Sequence, residues 1–348
     1  MFKLYRSCKF VSYYCNKSFL KQYVNQSIKL CSTPVVANVR LYNLCSRNPR
    51  SCIRKLVPVR SFLALSILGW LGFIDEDEEK ESELIMTLKR AVLSRKREQY
   101  DKAEQLLHIA LRLAQQQQNE QGITYCYDLM ANVAFDRYEL AKAEKLFVSV
   151  LQRLLSGGIS QDDLKVIHIS LKLARICHLR AEDEKADIGY NWCLEQIGKK
   201  KNIEYDAKML YSVIQDWYAQ FLLDRGEVEK SLKHLKEAYI ACSDTKGKES
   251  EQSMLLLNDL GITNWRAGDI ESAQGCLLEA IGIGNKLEDK SHLGVVHANL
   301  GLIYLQKGII KQAEKYCKEA WHLGKRHEND ESVMQANYCF EQIKINKS

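Results

Sequence analysis

Two segments near the C-terminal end repeat the same residue types at the same spacing. Each contains a Leu-Gly pair, a second glycine seven residues after the first, and alanines twelve and nineteen residues after the first glycine. These residues are Leu260, Gly261, Gly268, Ala273 and Ala280 in one segment, and Leu300, Gly301, Gly308, Ala313 and Ala320 in the other. Helix axes approach closely only where side chains are short, and alanine also favours helix. The pattern therefore predicts two helices joined by a turn that contains glycine.

This pattern resembles the tetratricopeptide repeat, whose signature has a Leu-Gly pair, a tyrosine and alanines seven residues apart. Tyr304 supplies the tyrosine in the second segment, and Asn264 replaces it in the first. Small residues seven apart recur upstream, so that the leading residues stand 40 to 45 residues apart. The upstream pairs are Ala103/Ala110, Ala143/Val150, Ala186/Cys193 and Ser231/Ala238. One pair of helices cannot bury its own apolar face. We therefore predict an all-α fold, a superhelical solenoid of about six helix pairs over residues 84–327 with a capping helix in 328–348.

The first 60 residues differ in charge from the rest of the chain. They hold twelve Lys or Arg and no Asp or Glu, which leaves 38 of the 50 basic residues against all 44 acidic residues elsewhere. The net charge of +6 is thus the sum of +12 in this segment and −6 in the remainder, so it does not indicate nucleic-acid binding by the repeats. Basic, acid-free N-terminal segments are typical of mitochondrial presequences, and a basic disordered tail that binds nucleic acid is the alternative. We predict a mostly disordered presequence over 1–60.

An uncharged apolar stretch, Phe62–Ile74, follows the basic segment. As a helix its 13 residues would reach about 20 Å, which is short of the roughly 30 Å hydrocarbon core. A buried helix, an interfacial anchor and a short mismatched span all suit this length. We predict that 61–74 contacts a membrane and that the acidic residues of 75–83 form a spacer. The basic upstream flank favours repeats in the intermembrane space, whereas the short length favours full import into the matrix.

The seven cysteines after residue 125 form no spaced-pair motif. They fall at helix-periodic positions such as Cys126, Cys177, Cys276 and Cys317. Free cysteine behaves as a small apolar residue, so we expect these side chains to be reduced and buried rather than joined in a disulfide framework.

No catalytic, phosphate-binding or dinucleotide-binding motif occurs. The histidine pairs His292/His297 and His322/His327 are five residues apart, which directs their side chains about 140° apart on a helix. We therefore expect surface or helix-end histidines rather than a metal site. The sequence predicts a protein that is not an enzyme and that has no cofactor, metal or small-molecule substrate.

In an array of this kind the first helix of each pair lines the concave, partner-binding face. Six polar residues fall among apolar ones on these helices, and each would serve either partner binding or hydrogen bonding between repeats. The candidates are Asp128, Asn132, Lys172, Asp216, Asn258 and Asn299. Asn132 and Lys172 approximate two positions of the clamp that grips a partner's terminal carboxylate, but the rest of that set does not appear.

Three further stretches resemble the mitochondrial tetratricopeptide repeat protein 19 family: Ile123–Asn132, Leu154–Gly158 and Ile169–Ala174. The order of basic segment, apolar stretch, acidic run and repeats is also similar, and the fourth pair departs from the family pattern. The resemblance implies an adaptor at the mitochondrial inner membrane. It would bind respiratory complex III, support late assembly and upkeep, and help to clear fragments of the Rieske iron–sulfur subunit. The alternative is a cytosolic adaptor resembling kinesin light chain, which should begin with heptads rather than a presequence.

Overall fold

The computed structural model describes residues 82–200 and 205–347, which form thirteen α-helices and no strand. The predicted presequence, the apolar stretch and nearly all of the acidic spacer lie outside these ranges. The helices follow the chain as six pairs and a last single helix, which confirms the predicted all-α repeat fold. They are α1 Glu83–Lys96, α2 Tyr100–Gln116, α3 Glu120–Asp136, α4 Leu140–Ser156, α5 Leu164–Leu179, α6 Asp183–Gly198, α7 Tyr205–Asp224, α8 Val228–Lys246, α9 Glu251–Arg266, α10 Ile270–Lys286, α11 Leu293–Gln306, α12 Ile310–Arg326 and α13 Asp330–Lys347.

The turn inside each pair has one residue with a positive φ, always five residues before the leading small residue. Glycine occupies this place in the last three pairs, as the signature predicts. In the first three pairs it is taken by Glu98, Tyr138 and Ala181, with φ of 59°, 64° and 57°. Side chains other than glycine adopt this region at a cost of about 1–2 kcal/mol. The turn geometry is therefore common to all six pairs, although its glycine is not.

The chain divides into two compact units, residues 1–189 and 190–348, and the division falls within α6. In the first unit, α1 packs on α2 and α3 packs on α4. The leading residues Ala103 and Ala143 are fully buried, and Leu88, Leu107 and Phe147 fill the core around them. These alanines lie where the helices of a pair cross, as the spacing predicts.

In the second unit, the pairs α7–α8, α9–α10 and α11–α12 pack in the same way. A Cβ atom on Gly261 would lie 2.8 Å from Leu277 Cγ and 3.2 Å from the carbonyl oxygen of Ala273. The first glycine of the repeat is thus required by the closeness of the two helices. Ser231, the leading residue of the fourth pair, is fully buried and donates a 2.8 Å hydrogen bond to the Ala219 carbonyl. Its hydroxyl is satisfied inside the contact, so serine can replace alanine there.

The last helix, α13, packs on both α11 and α12, as expected of a cap. Ala336 contacts Ala298 and Ala320, and the three side chains are fully buried. Cys339 forms a disulfide with Cys317 of α12. The expectation of reduced thiols is therefore wrong for Cys317 and Cys339, because helix α13 brings the two side chains together. The other five cysteines of the described residues are thiols: Cys126, Cys177, Cys193 and Cys242, which are buried, and Cys276, which is half-buried.

Candidate protein-binding surface

All six predicted polar residues lie on the first helices of their pairs, and all are buried, with 6–7% of their surface exposed. They fall into two groups, one in each compact unit. Asp128, Asn132 and Lys172 lie on α3 and α5 of the first unit. Asp216, Asn258 and Asn299 lie on α7, α9 and α11 of the second. Hydrogen bonds between repeats join members of both groups, so one of the two roles foreseen for them, bonding between repeats, is present.

In the first unit, Lys172 links α5 to α3. Its Nζ donates a hydrogen bond of 2.7 Å to Asn132 Oδ1 and lies 3.7 Å from Asp128 Oδ1. Asn132 Nδ2 in turn donates to the Asp128 carbonyl at 2.7 Å, one turn earlier on α3. The three side chains form one buried cluster that contains a cation, a carboxylate and an amide.

Burial sets the electrostatics of this cluster. Desolvation lowers the pKa of Lys172, and the nearby Asp128 carboxylate opposes part of that shift. His168, one turn before Lys172 on α5, has a pKa well below its usual value because of burial and the Lys172 charge. It is therefore a neutral imidazole, and its Nε2 makes no hydrogen bond within the described residues.

In the second unit, amide and carboxyl groups on α7, α9 and α11 form a polar cluster that we call the ladder, in which a hydrogen bond joins α11 to α9 and the Asp216 charge on α7 acts on Asp259 of α9. Asn299 Nδ2 donates to Asn258 Oδ1 at 2.9 Å, and Asn258 Nδ2 donates to Asp259 Oδ1 at 3.2 Å. On α7, Gln220 Nε2 donates to Asp216 Oδ1 at 3.0 Å. The ladder presents amide oxygens, N–H groups and carboxyl groups, which can bind a polypeptide backbone or a basic side chain.

Two members of this ladder, Gln220 and Asp259, are absent from the residues predicted from the sequence. Asp259 is the ionisable one of the two. Burial, together with the negative charges of Asp216 and Glu331, raises its pKa to about 8. The missed signal is the repeat itself, because Asp259 and Asn299 both immediately precede a Leu-Gly pair. Asn258, which was predicted, stands one position earlier.

Half-buried apolar side chains share the ladder's helix faces. Ile262 and Leu302 each follow a ladder residue, Asp259 and Asn299, by three positions, and neighbours at this spacing lie on one helix face. Trp265 is half-buried as well, and its indole N–H donates to Gln306 Oε1. A surface with partly exposed apolar groups beside polar ones suits a protein segment with mixed side chains.

The expected surface position is wrong for His297. Its side chain is buried against Tyr316, with ring centroids 5.7 Å apart, and burial lowers its pKa to about 4. It faces the second helix of its pair, because its position falls on the packed side of α11.

No group of three or more metal-ligating side chains occurs in the described residues. No helix within 82–200 or 205–347 combines the length and hydropathy needed to cross a bilayer.

Six helix pairs, a cap and a polar first-helix surface define a tetratricopeptide-repeat protein. The family model described as "Tetratricopeptide repeat" matches residues 210–286. The fold is similar to that of BtubC (BKLC) from P. vanneervenii, with a TM-score of 0.55 and 19% identity over 71% of this chain and 93% of that one. It is also similar to the apo form of RapI, with a TM-score of 0.56 and 13% identity over 79% of this chain and 73% of that one.

Sequence relatives narrow the class further. The chain is 37% identical over 336 residues to "Tetratricopeptide repeat protein 19 homolog, mitochondrial" of Drosophila melanogaster, which covers 95% of this chain and 91% of that protein. It is 32% identical over 272 residues to the Homo sapiens "Tetratricopeptide repeat protein 19, mitochondrial", covering 74% and 71%. The chain belongs to the mitochondrial tetratricopeptide repeat protein 19 family. This membership confirms the resemblance found in the sequence, and the relatives are named as mitochondrial proteins.

Proposed function

We propose that this chain is a non-enzymatic adaptor of the mitochondrial inner membrane that binds respiratory complex III. It supports late assembly and upkeep of the complex, and helps to clear fragments of the Rieske iron–sulfur subunit. The observation that carries the proposal is membership of a mitochondrial family over 95% of the chain. The repeat fold supports a binding role, since arrays of this kind act by presenting an extended surface to a partner.

The first-helix surface of the second unit is where we place the partner. Three residues of its ladder, Asp216, Asn258 and Asn299, are 6–7% exposed. The half-buried side chains of Ile262, Trp265 and Leu302 lie on the same first helices. A partner segment lying there would cover apolar area and meet polar groups at once. Residues of interface centres are typically of this mixed kind, with aromatic side chains prominent.

Affinity capture from detergent-solubilised mitochondria tests the proposal, with the organellar form of the chain as bait. Ile262→Glu places a charge on the first-helix surface. Ile240→Glu makes the same change on helix α8 at a side chain that is 56% exposed, and is the matched control. We expect the wild type and the control variant to recover complex III subunits, including Rieske fragments, and Ile262→Glu to recover far less.

Recovery of cytosolic proteins alone by the wild type would refute the proposal. Equal recovery by all three baits would keep the complex III assignment and remove this surface from it. Circular dichroism of both variants must first show that each retains its helices, so that unfolding is not mistaken for lost binding.

We further propose that the repeats face the intermembrane space, on the basis of the basic flank before Phe62 and the acidic run after Ile74. Protease treatment of mitoplasts tests this orientation. Digestion of the repeats without detergent is expected. Protection until detergent is added would place them in the matrix and refute the orientation.

A further inference from the structure

One covalent bond joins the last repeat to the capping helix. Cys317 lies in α12 and Cys339 in α13, and their Cα atoms are 6.1 Å apart, which is within the range of disulfides. Both side chains are fully buried. The other cysteines of the described residues are thiols, so this is the one disulfide within that part of the chain.

The surroundings fit a disulfide in this place. A Cβ atom on Gly301 of α11 would lie 2.5 Å from Cys317 Sγ and 3.2 Å from Cys339 Sγ, so the glycine provides the space for the two sulfurs. Leu305, Ala313 and Ile343 enclose the bond in apolar side chains. It therefore lies where helices α11, α12 and α13 meet.

We propose that Cys317 and Cys339 are an oxidation site at which a disulfide, formed as the chain folds, locks the capping helix onto the sixth pair. The oxidant is a protein or small-molecule disulfide. The thiolate of one cysteine attacks a sulfur of that disulfide and displaces the other sulfur as a thiolate, which gives a mixed disulfide. The second cysteine attacks the bonded cysteine sulfur and releases the oxidant's remaining thiolate. The oxidant is thereby reduced to two thiols, which take up the two protons lost by the cysteines.

Because both sulfurs are buried in the folded chain, the oxidant reaches them before α13 has docked. Once formed, the bond closes a loop across a sequence separation of 22 residues. A bond that closes a loop of this size should lower the population of chains in which the two helices are separated by on the order of 100-fold, compared with the reduced chain. The cap covers the otherwise exposed apolar face of the last repeat, so the bond keeps the end of the array closed.

Disulfides persist in oxidising compartments and are rare where thiol reductants are abundant. An intact bond in the organelle therefore places the repeats outside the reducing matrix. This conclusion about the compartment rests on the mitochondrial location proposed above, whereas the bond and its effect on the cap do not.

Differential alkylation in intact mitochondria tests the proposal. Organelles are quenched in denaturant with one alkylating reagent, reduced, and labelled with a second of different mass. We expect Cys317 and Cys339 to carry the second label and Cys276, the internal control, to carry the first. The first label on both Cys317 and Cys339 would overturn the proposal.

Limited proteolysis of the purified, oxidised full chain tests the effect on the cap. Reduction in denaturant, followed by refolding in reductant, should speed cleavage within α13 by on the order of 100-fold relative to the oxidised chain in the wild type and in Cys276→Ala. It should leave the rate for Cys339→Ala unchanged, because that variant lacks the bond. An unchanged rate in the wild type would overturn the locking role, and this comparison requires no variant to fold. Complex III capture is a separate readout, so its failure does not affect either result.

Discussion

Replacing Lys172 with methionine tests the buried cluster of the first unit directly. The Lys172 and Asp128 side chains are 7% and 9% exposed, and their charged atoms are 3.7 Å apart. Methionine has a similar volume but no charge, so the variant leaves the Asp128 carboxylate buried without its cation. Removing one partner of a buried ion pair costs about 3–5 kcal/mol of unfolding free energy.

The double variant Lys172→Met/Asp128→Leu removes both charges. Replacing a whole buried pair by apolar residues is often neutral, and Asn132 Oδ1 then loses one donor at a cost of about 1 kcal/mol. We therefore expect the double variant to lie within about 1–2 kcal/mol of the wild type. The second substitution should thus recover most of the stability that the first one lost.

Urea unfolding followed by circular dichroism measures the three free energies. Lys208→Met, at a side chain that is 42% exposed, is the matched control and should change stability by less than about 0.5 kcal/mol. A loss below about 1 kcal/mol for Lys172→Met alone would refute the reasoning, because it would mean that Asp128 is not left as an unpaired buried charge. A double variant as unstable as the single one would also refute it.

Three other predictions concern packing, turns and pH. Ala313→Leu and Ala320→Leu should each over-pack the last pair and lower the unfolding free energy by about 1–3 kcal/mol, and unchanged melting midpoints would contradict the register. Ala181→Gly should stabilise the third turn by up to about 1 kcal/mol, and Gly268→Ala should destabilise the fifth turn by at least as much, because both positions have a positive φ. Urea titrations in which Ala181→Gly lowers stability or Gly268→Ala raises it would contradict this. The pKa of Asp259 is raised in the folded chain to about 8, so its contribution to stability falls as pH rises from about 4 to 8. The stability gained by Asp259→Asn should therefore grow over that range, and a gain that is constant with pH in denaturant titrations would contradict it.

The repeat could be predicted from the sequence at positions where the packing of the helices requires a small side chain. Ala103, Ala143 and Ala186 could be found because only small side chains fit where the helices of a pair cross. The turn residues were harder to find, because Glu98 and Tyr138 adopt a positive φ without being glycine or asparagine. Their position five residues before the leading alanine is the signal that identifies them.

In the candidate site, the burial of the polar residues was easier to predict from the sequence than their hydrogen-bond partners were. Burial of the six polar residues followed from their apolar neighbours. Their partners depended on how successive repeats align: Lys172 bonds Asn132 at a separation of 40, and Asn299 bonds Asn258 at 41. These separations lie within three residues of the periods of 43 and 40 between the same pairs, so the period indicates which helices supply the partners. The Cys317–Cys339 bond joins the last repeat to the cap, outside that period, and no spacing rule in the sequence indicates it.

Polar residues on the first helices are not required by the packing of the repeat. Asp128, Asp216 and Asn258 each stand fifteen residues before the leading small residue of their pair. The same position in the other three pairs holds Leu88, Leu171 and Ala298, all buried. An apolar side chain is therefore compatible with the fold there, and a buried polar group is costly unless its hydrogen bonds are complete. A solenoid that needed only stability could use leucine or alanine in all six pairs, so the polar groups of pairs two, four and five support a role in recognition beside the bonds they make between repeats.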